Sequence, residues 1–133
     1  MKKYLYILLI LVNIYTLSAQ KCSLPKAGKY DVVYDSEFKN HPKYNFEIIG
    51  NHYYIFEDGK KREYEIVKLN DCSFRLENDE IIDETKLTEL QKVLNKQKPY
   101  FDIYKIEGNK YYFIYRIDLH IQSYSGQFIQ RRE

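Results

Sequence analysis

Cys22 and Cys72 are the only cysteines in the 133-residue chain. A free cysteine can be a nucleophile, but only with a base beside its thiolate, and no sequence feature supplies one. A closed zinc site would need histidine partners, and His41, His52 and His120 have no ligand-like spacing. No metal or other cofactor is expected. The remaining chemistry is one disulfide, Cys22 to Cys72, the single intramolecular pairing that two cysteines allow. It would close a loop of about 50 residues and contribute roughly 4 kcal/mol through the unfolded chain. That is large beside a typical stability of about 5–15 kcal/mol.

The carboxylates Asp79, Glu80, Asp83 and Glu84 form the other concentrated group. Paired carboxylates can do acid–base work or hold calcium. EF-hand spacing is absent, and acids ahead of a helix are ordinary capping and dipole residues. The chain has no Gly-x-Ser-x-Gly, no His-Glu-x-x-His and no glycine-rich phosphate loop. With no catalytic residue to name, the expectation is a non-enzymatic protein.

Aromatic residues are the most abundant raw material: 15 Tyr and 7 Phe with no Trp. Tyr30, Phe46, Tyr53, Tyr64, Phe113 and Tyr115 share a face of their strands with Val32, Ile48, Ile55 and Ile66. On the inside of a barrel they would surround a small apolar ligand, with tyrosine hydroxyls as the few polar contacts. The competing expectation is a solid core, since small barrels are often filled by side chains. Tyr54, Tyr112 and Tyr124 are expected on the opposite face. There they would present an interaction surface for a cell-envelope protein or polysaccharide, or simply pair across strands or lie under the helix.

The elements that must position these residues read as strands, one helix, then strands. Alternating apolar positions and turn dipeptides mark strands over residues 28–35, 44–49, 52–57, 61–68 and 72–77. Gly50-Asn51 and Asp58-Gly59 are hairpin signals. Leu87, Leu90, Val93 and Leu94 then recur at helical spacing, so one helix is expected near residues 83–97, stopped by Pro99. Strands resume over 100–106, 110–117 and 121–130, with a break at Gly126 left open. Eight strands at short spacing make an antiparallel meander, closed as a barrel or packed as a sandwich. The helix would cover a barrel end or a sheet face.

Composition sets the compartment and excludes partners. Met1-Lys2-Lys3, an apolar run over 4–17 and the small residues Ser18 and Ala19 follow the order of a secretory signal. About 14 apolar positions are short of the roughly 20 that a transmembrane helix needs. Cleavage is expected after Ala19 or Gln20, giving a signal over 1–20 and one β-rich domain over 21–133. An uncleaved membrane anchor is the alternative. Lys21 ahead of Cys22 argues against a lipoprotein, so the product should be periplasmic or secreted, without stable membrane insertion. Lys2 and Lys3 account for the net charge of +2; without them 19 basic residues face 19 acidic ones. That balance argues against a nucleic-acid partner.

An exported chain that opens on a cysteine, then Gly28-Lys29-Tyr30 at its first strand, then a meander with Asn70-Asp71-Cys72-Ser73-Phe74, resembles small exported bacterial proteins with a lipocalin-like barrel. Gly-x-Tyr is similar to the Gly-x-Trp that begins the first lipocalin strand. The resemblance implies an eight-stranded barrel that binds a small apolar ligand, with Arg131 or Arg132 packed beside Tyr30. Tyr stands where lipocalins have Trp, and the helix interrupts the strands rather than following them.

Overall fold

The structure, a computed structural model, describes residues 22–78, 83–96, 98–118 and 121–132. The expected signal over 1–20, together with Asp79 and Glu80, lies outside them. The strands are β1 (Gly28–Tyr34), β2 (Asn45–Ile49), β3 (His52–Glu57), β4 (Lys60–Lys68), β5 (Ser73–Glu77), β6 (Tyr100–Glu107), β7 (Lys110–Arg116) and β8 (Gln122–Gln130). Each begins and ends within one residue of its expected place. They follow one another as an antiparallel meander, and pairing of β1 with β8 closes it. The fold is thus a barrel and not a sandwich.

The strand period delivers the closure. Tyr30, Val32, Phe46, Ile48, Tyr53, Phe74, Phe101, Ile103, Tyr111, Phe113 and Phe128 point inward and are buried. Their sequence neighbours Lys29, Asp31, Glu47 and Lys110 point outward, as do Glu63 and Glu65 beside Tyr64, the cross-strand partner of Tyr53, as a period of two requires. Two irregularities keep the apolar phase in register. Between Ile103 and Lys105 the β6–β7 register shifts, so Tyr104 is an extra, exposed residue. After it, Ile106 lies opposite the buried Tyr111, and Lys105 faces out opposite Tyr112; without the bulge Lys105 would turn into the core. A second shift lets Tyr115 pair with Tyr124 while Arg116 pairs with Gln122.

Turn chemistry sets the hairpins. Asp58 and Gly59 both have positive φ (50° and 72°), as a two-residue type I′ turn demands. Gly126 has a different role. β8 does not break there but runs through it, against the backbone of β1, where an added Cβ would meet the Val33 carbonyl and Tyr34 Cα.

The helix falls within the expected span near residues 83–97 but starts later and is shorter. A single 3-10 turn occupies Glu84–Lys86, Leu87 is extended, and α1 spans only Glu89–Lys96. Thr88 and Gln91 explain the late start. The Gln91 amide donates to the Thr88 hydroxyl (3.2 Å), and the Thr88 amide donates to Gln91 Oε1 (2.9 Å), a reciprocal capping box. Asp83 caps the 3-10 turn by accepting from the Thr85 amide and hydroxyl (3.1 and 2.6 Å). Leu90 and Val93 of α1 are exposed, so this apolar pair covers neither a sheet face nor a barrel end.

One end of the barrel is closed by the N-terminal segment, and we call it the floor. Leu24 packs on the core and the Tyr30 hydroxyl donates to the Lys26 carbonyl (2.6 Å). A Cys22–Cys72 disulfide, with Cα atoms 5.2 Å apart, ties the segment to the β4–β5 turn. The Cys72 carbonyl in turn accepts from the Ile103 amide (2.8 Å). Arg131 does not pack over Tyr30. It donates to both carboxylate oxygens of Asp31 on the outer face, while Tyr30 stacks on Phe46 inside.

Replacing Cys22 with Ser should lower stability by about 4 kcal/mol, read as a drop in the urea midpoint with unchanged slope. An unchanged midpoint would show that the floor holds without its staple. Gly126→Ala should cost about 1–3 kcal/mol, the usual size of an overpacking penalty, and the same denaturation curves measure it.

Candidate functional site

The opposite end of the barrel, the mouth, is where the interior opens. The inward strand phase continues past the core to Tyr34 on β1, Ile55 and Glu57 on β3, Tyr64 on β4, Leu76 on β5 and Tyr115 and Tyr124 on β7 and β8. Tyr44, two residues before Phe46, joins them from the loop ahead of β2. Ile55, Glu57, Leu76, Pro99 and Phe101, with four of the tyrosines, line a cavity of about 260 Å³. Next to it a wider groove of about 580 Å³ runs beside β1, where β1–β2 pairing stops at Asp31 and Asn45. Tyr44 and Glu57 line both.

The six expected ligand-binding residues divide between two roles. Tyr30, Phe46, Tyr53 and Phe113 are packed in the core. Tyr30 stacks on Phe46 (4.8 Å), Phe46 on Tyr53 (4.3 Å), and Phe113 on Phe128 (4.1 Å). Four rings with no more than 1% of their surface exposed leave no room for a guest. Tyr64 and Tyr115 reach the mouth cavity. The solid core therefore describes the barrel centre, and the open interior is confined to its upper end.

Tyr124, expected on the outer face, is a correction: it points inward. It shares its strand phase with Gly126 and the buried Phe128, stacks on Tyr115 (4.8 Å) and meets Tyr34 edge-on (5.5 Å). Its phase relative to Phe128 was the available signal. Tyr54 and Tyr112 do lie outside. Lys61 sits over the Tyr54 ring (4.3 Å) and Lys105 over that of Tyr112 (5.0 Å), while the Tyr112 hydroxyl donates to Glu107 (3.1 Å). Both outer tyrosines are thus engaged by their own sheet.

Sequence reasoning also missed Glu57 as a site residue. Its place two residues after Ile55, in the phase of Tyr53, was the signal for an inward carboxylate. Among the described residues it has no ion pair within 4 Å and no hydrogen bond to its side chain. Its charge nonetheless reaches the mouth: it helps raise the pKa of Tyr34 and, more weakly, Tyr44, on top of the larger effect of burial. Tyr44 and Tyr53 bring their hydroxyls to 3.5 Å, whereas those of Tyr115 and Tyr124 make no hydrogen bond among the described residues.

The arrangement is a concave, mainly aromatic surface with few polar groups among the described residues. Its polar side chains are four tyrosine phenols and one carboxylate, and burial raises the pKa of Tyr44, Tyr115 and Tyr124. Among the described residues no three His, Cys, Asp or Glu side chains gather as a metal site. A smaller cavity of about 220 Å³ at the floor, lined by Leu24, Ile48, Ile66 and Phe74, sits beneath the disulfide-tied segment. Comparison with known proteins gave no match, whether to a family model, a curated protein or a solved structure.

The mouth tyrosines make alkaline stability a test of this geometry. Burial raises Tyr44, Tyr115 and Tyr124 above the ordinary value of 10.0, so these groups keep their protons in the folded state after the unfolded chain has lost them. The native state then binds more protons, and stability falls as pH rises above 10. In a spectrophotometric titration at 295 nm, these tyrosines should ionise only together with unfolding. Free ionisation of these three tyrosines in a still-folded barrel would place the mouth rings in water.

Proposed function

We propose that the protein is an exported, non-enzymatic binder of a small, mainly apolar molecule, held in the mouth of the barrel. The observation that carries this reading is the cavity of about 260 Å³ lined by Tyr44, Tyr64, Phe101, Tyr115 and Tyr124 with Ile55 and Leu76. A concave, aromatic-lined site with few polar groups is what small-molecule recognition uses. The volume lies just under the roughly 300–1,000 Å³ typical of drug-sized ligands, so the occupant is a single ring or a short branched chain. The lipocalin-like sequence pattern agrees with this reading. An outer tyrosine surface for an envelope protein or polysaccharide is less well supported, because Tyr54 and Tyr112 already serve cross-strand cation–π pairs.

Export is supported by the signal-like N-terminus and by the Cys22–Cys72 bridge, since such bridges persist in oxidising compartments. No helix among the described residues is long and apolar enough to cross a membrane. The outer strand positions carry Lys29, Asp31, Glu47, Glu63, Glu65 and Lys110, the reverse of the apolar lipid-facing band of a transmembrane barrel. That pattern supports a barrel with water outside.

Indole is a convenient probe because the chain has no Trp to mask its fluorescence. Its emission should shift to the blue and saturate as protein is added. Leu76→Phe, which fills the cavity, should weaken binding by about tenfold, corresponding to roughly 1.4 kcal/mol. Indole that neither saturates nor responds to Leu76→Phe would overturn the mouth as a binding site.

A further inference from the structure

Glu57 gives the mouth a sign. Among the described residues it is the one carboxylate lining the cavity, and no basic side chain among them lines it. Tyr44, Tyr64, Phe101, Tyr115 and Tyr124 line the same cavity. An aromatic ring presents a negative face, and several rings around one small volume attract a cation whose outer atoms are apolar. A carboxylate without an ion pair in the same wall adds a full negative charge.

We infer that the ligand carries a small organic cation, a quaternary or otherwise alkylated ammonium group, held by the mouth tyrosines and Glu57. This rests on the mouth being a binding site and adds the charge of its occupant. An alkylated ammonium suits the cavity because its methyl groups satisfy apolar walls while its charge answers the rings and the carboxylate. A plain ammonium would lose strong hydration on entry with too few acceptors to replace it.

Basic residues do lie near the rim, and they make the opposing case. Lys39 and Lys43 line the adjoining groove, and Lys60 and Arg62 lie opposite Glu57 and Ile55 on the β3–β4 hairpin. All four are exposed, and none has a carboxylate within 4 Å among the described residues. Their charges are screened by water and salt over a short distance. Glu57 and the rings act inside the cavity, where solvent screens less.

Three isosteres of one shape separate the possibilities. Choline carries a positive charge, 3,3-dimethyl-1-butanol is its neutral carbon counterpart, and 3,3-dimethylbutanoate is negative. Each would be titrated into the whole mature protein and followed by ligand-observed NMR. Choline should bind about tenfold more tightly than the neutral isostere, within the range of a desolvated cation–π site. Glu57→Gln should bring choline close to the neutral level, with a circular-dichroism spectrum confirming the fold. Equal binding of choline and the alcohol would overturn the cation while leaving the apolar mouth intact. Preference for the butanoate would give the rim lysines the deciding charge and also overturn it. Failure of all three, together with indole, would remove the binding site itself.

Discussion

The structure depends on one constraint: eight strands closed into a barrel enclose a space that must be filled. An eight-stranded barrel is just wide enough for side chains to do so. Here rings fill it, with Tyr30, Phe46 and Tyr53 in one stack and Phe113 and Phe128 in another. Phe46 meets Phe128 edge-on and links the two stacks, and Phe101 packs edge-on against Phe128 of the second. Offset and edge-to-face ring pairs contribute about 0.5–1.5 kcal/mol each beyond burial. The bulge at Tyr104 and the second shift beside Tyr115 are local concessions that keep aromatic residues inside and charged ones out.

Among the described residues the two ends differ in what covers them. At the floor the N-terminal segment crosses the barrel, and the disulfide holds it there. A segment held by a bond from outside its own strand can remain over an apolar opening at little further entropic cost. At the mouth the β1–β2, β5–β6 and β7–β8 connections are longer than the floor turns, and pairing between β1 and β2 ends early. The last inward residues of each strand therefore meet a cavity instead of each other. Those residues are mostly tyrosines, which suit a boundary where one end of the side chain is apolar and the other wet.

The charged groups follow the same division. Outer charges pair across strands or with near neighbours, as Arg131 does with Asp31, Arg75 with Glu77 and Arg116 with Asp102. Such exposed pairs contribute little to stability. Glu57 is set apart because its strand phase points it inward, at a level where the core has given way to the cavity.

Much of this architecture was legible in the chain. Strand phase and turn dipeptides placed all eight strands, because a period of two and a type I′ turn are local requirements that residue types meet or fail. The disulfide was legible because two cysteines leave one pairing. One helix near residues 83–97 was legible too; its start was not, because acids at residues 83 and 84 looked like it, whereas the Thr88–Gln91 box determines where it begins. Closure as a barrel, the split of the six aromatic candidates into core and mouth, the inward turn of Tyr124 and the placement of Glu57 beside the tyrosines were decided only in three dimensions. Each depends on how far along the barrel axis a residue sits relative to residues on other strands. Alternation reports the face of a sheet and carries no information about that height, which bulges and β1–β8 pairing set.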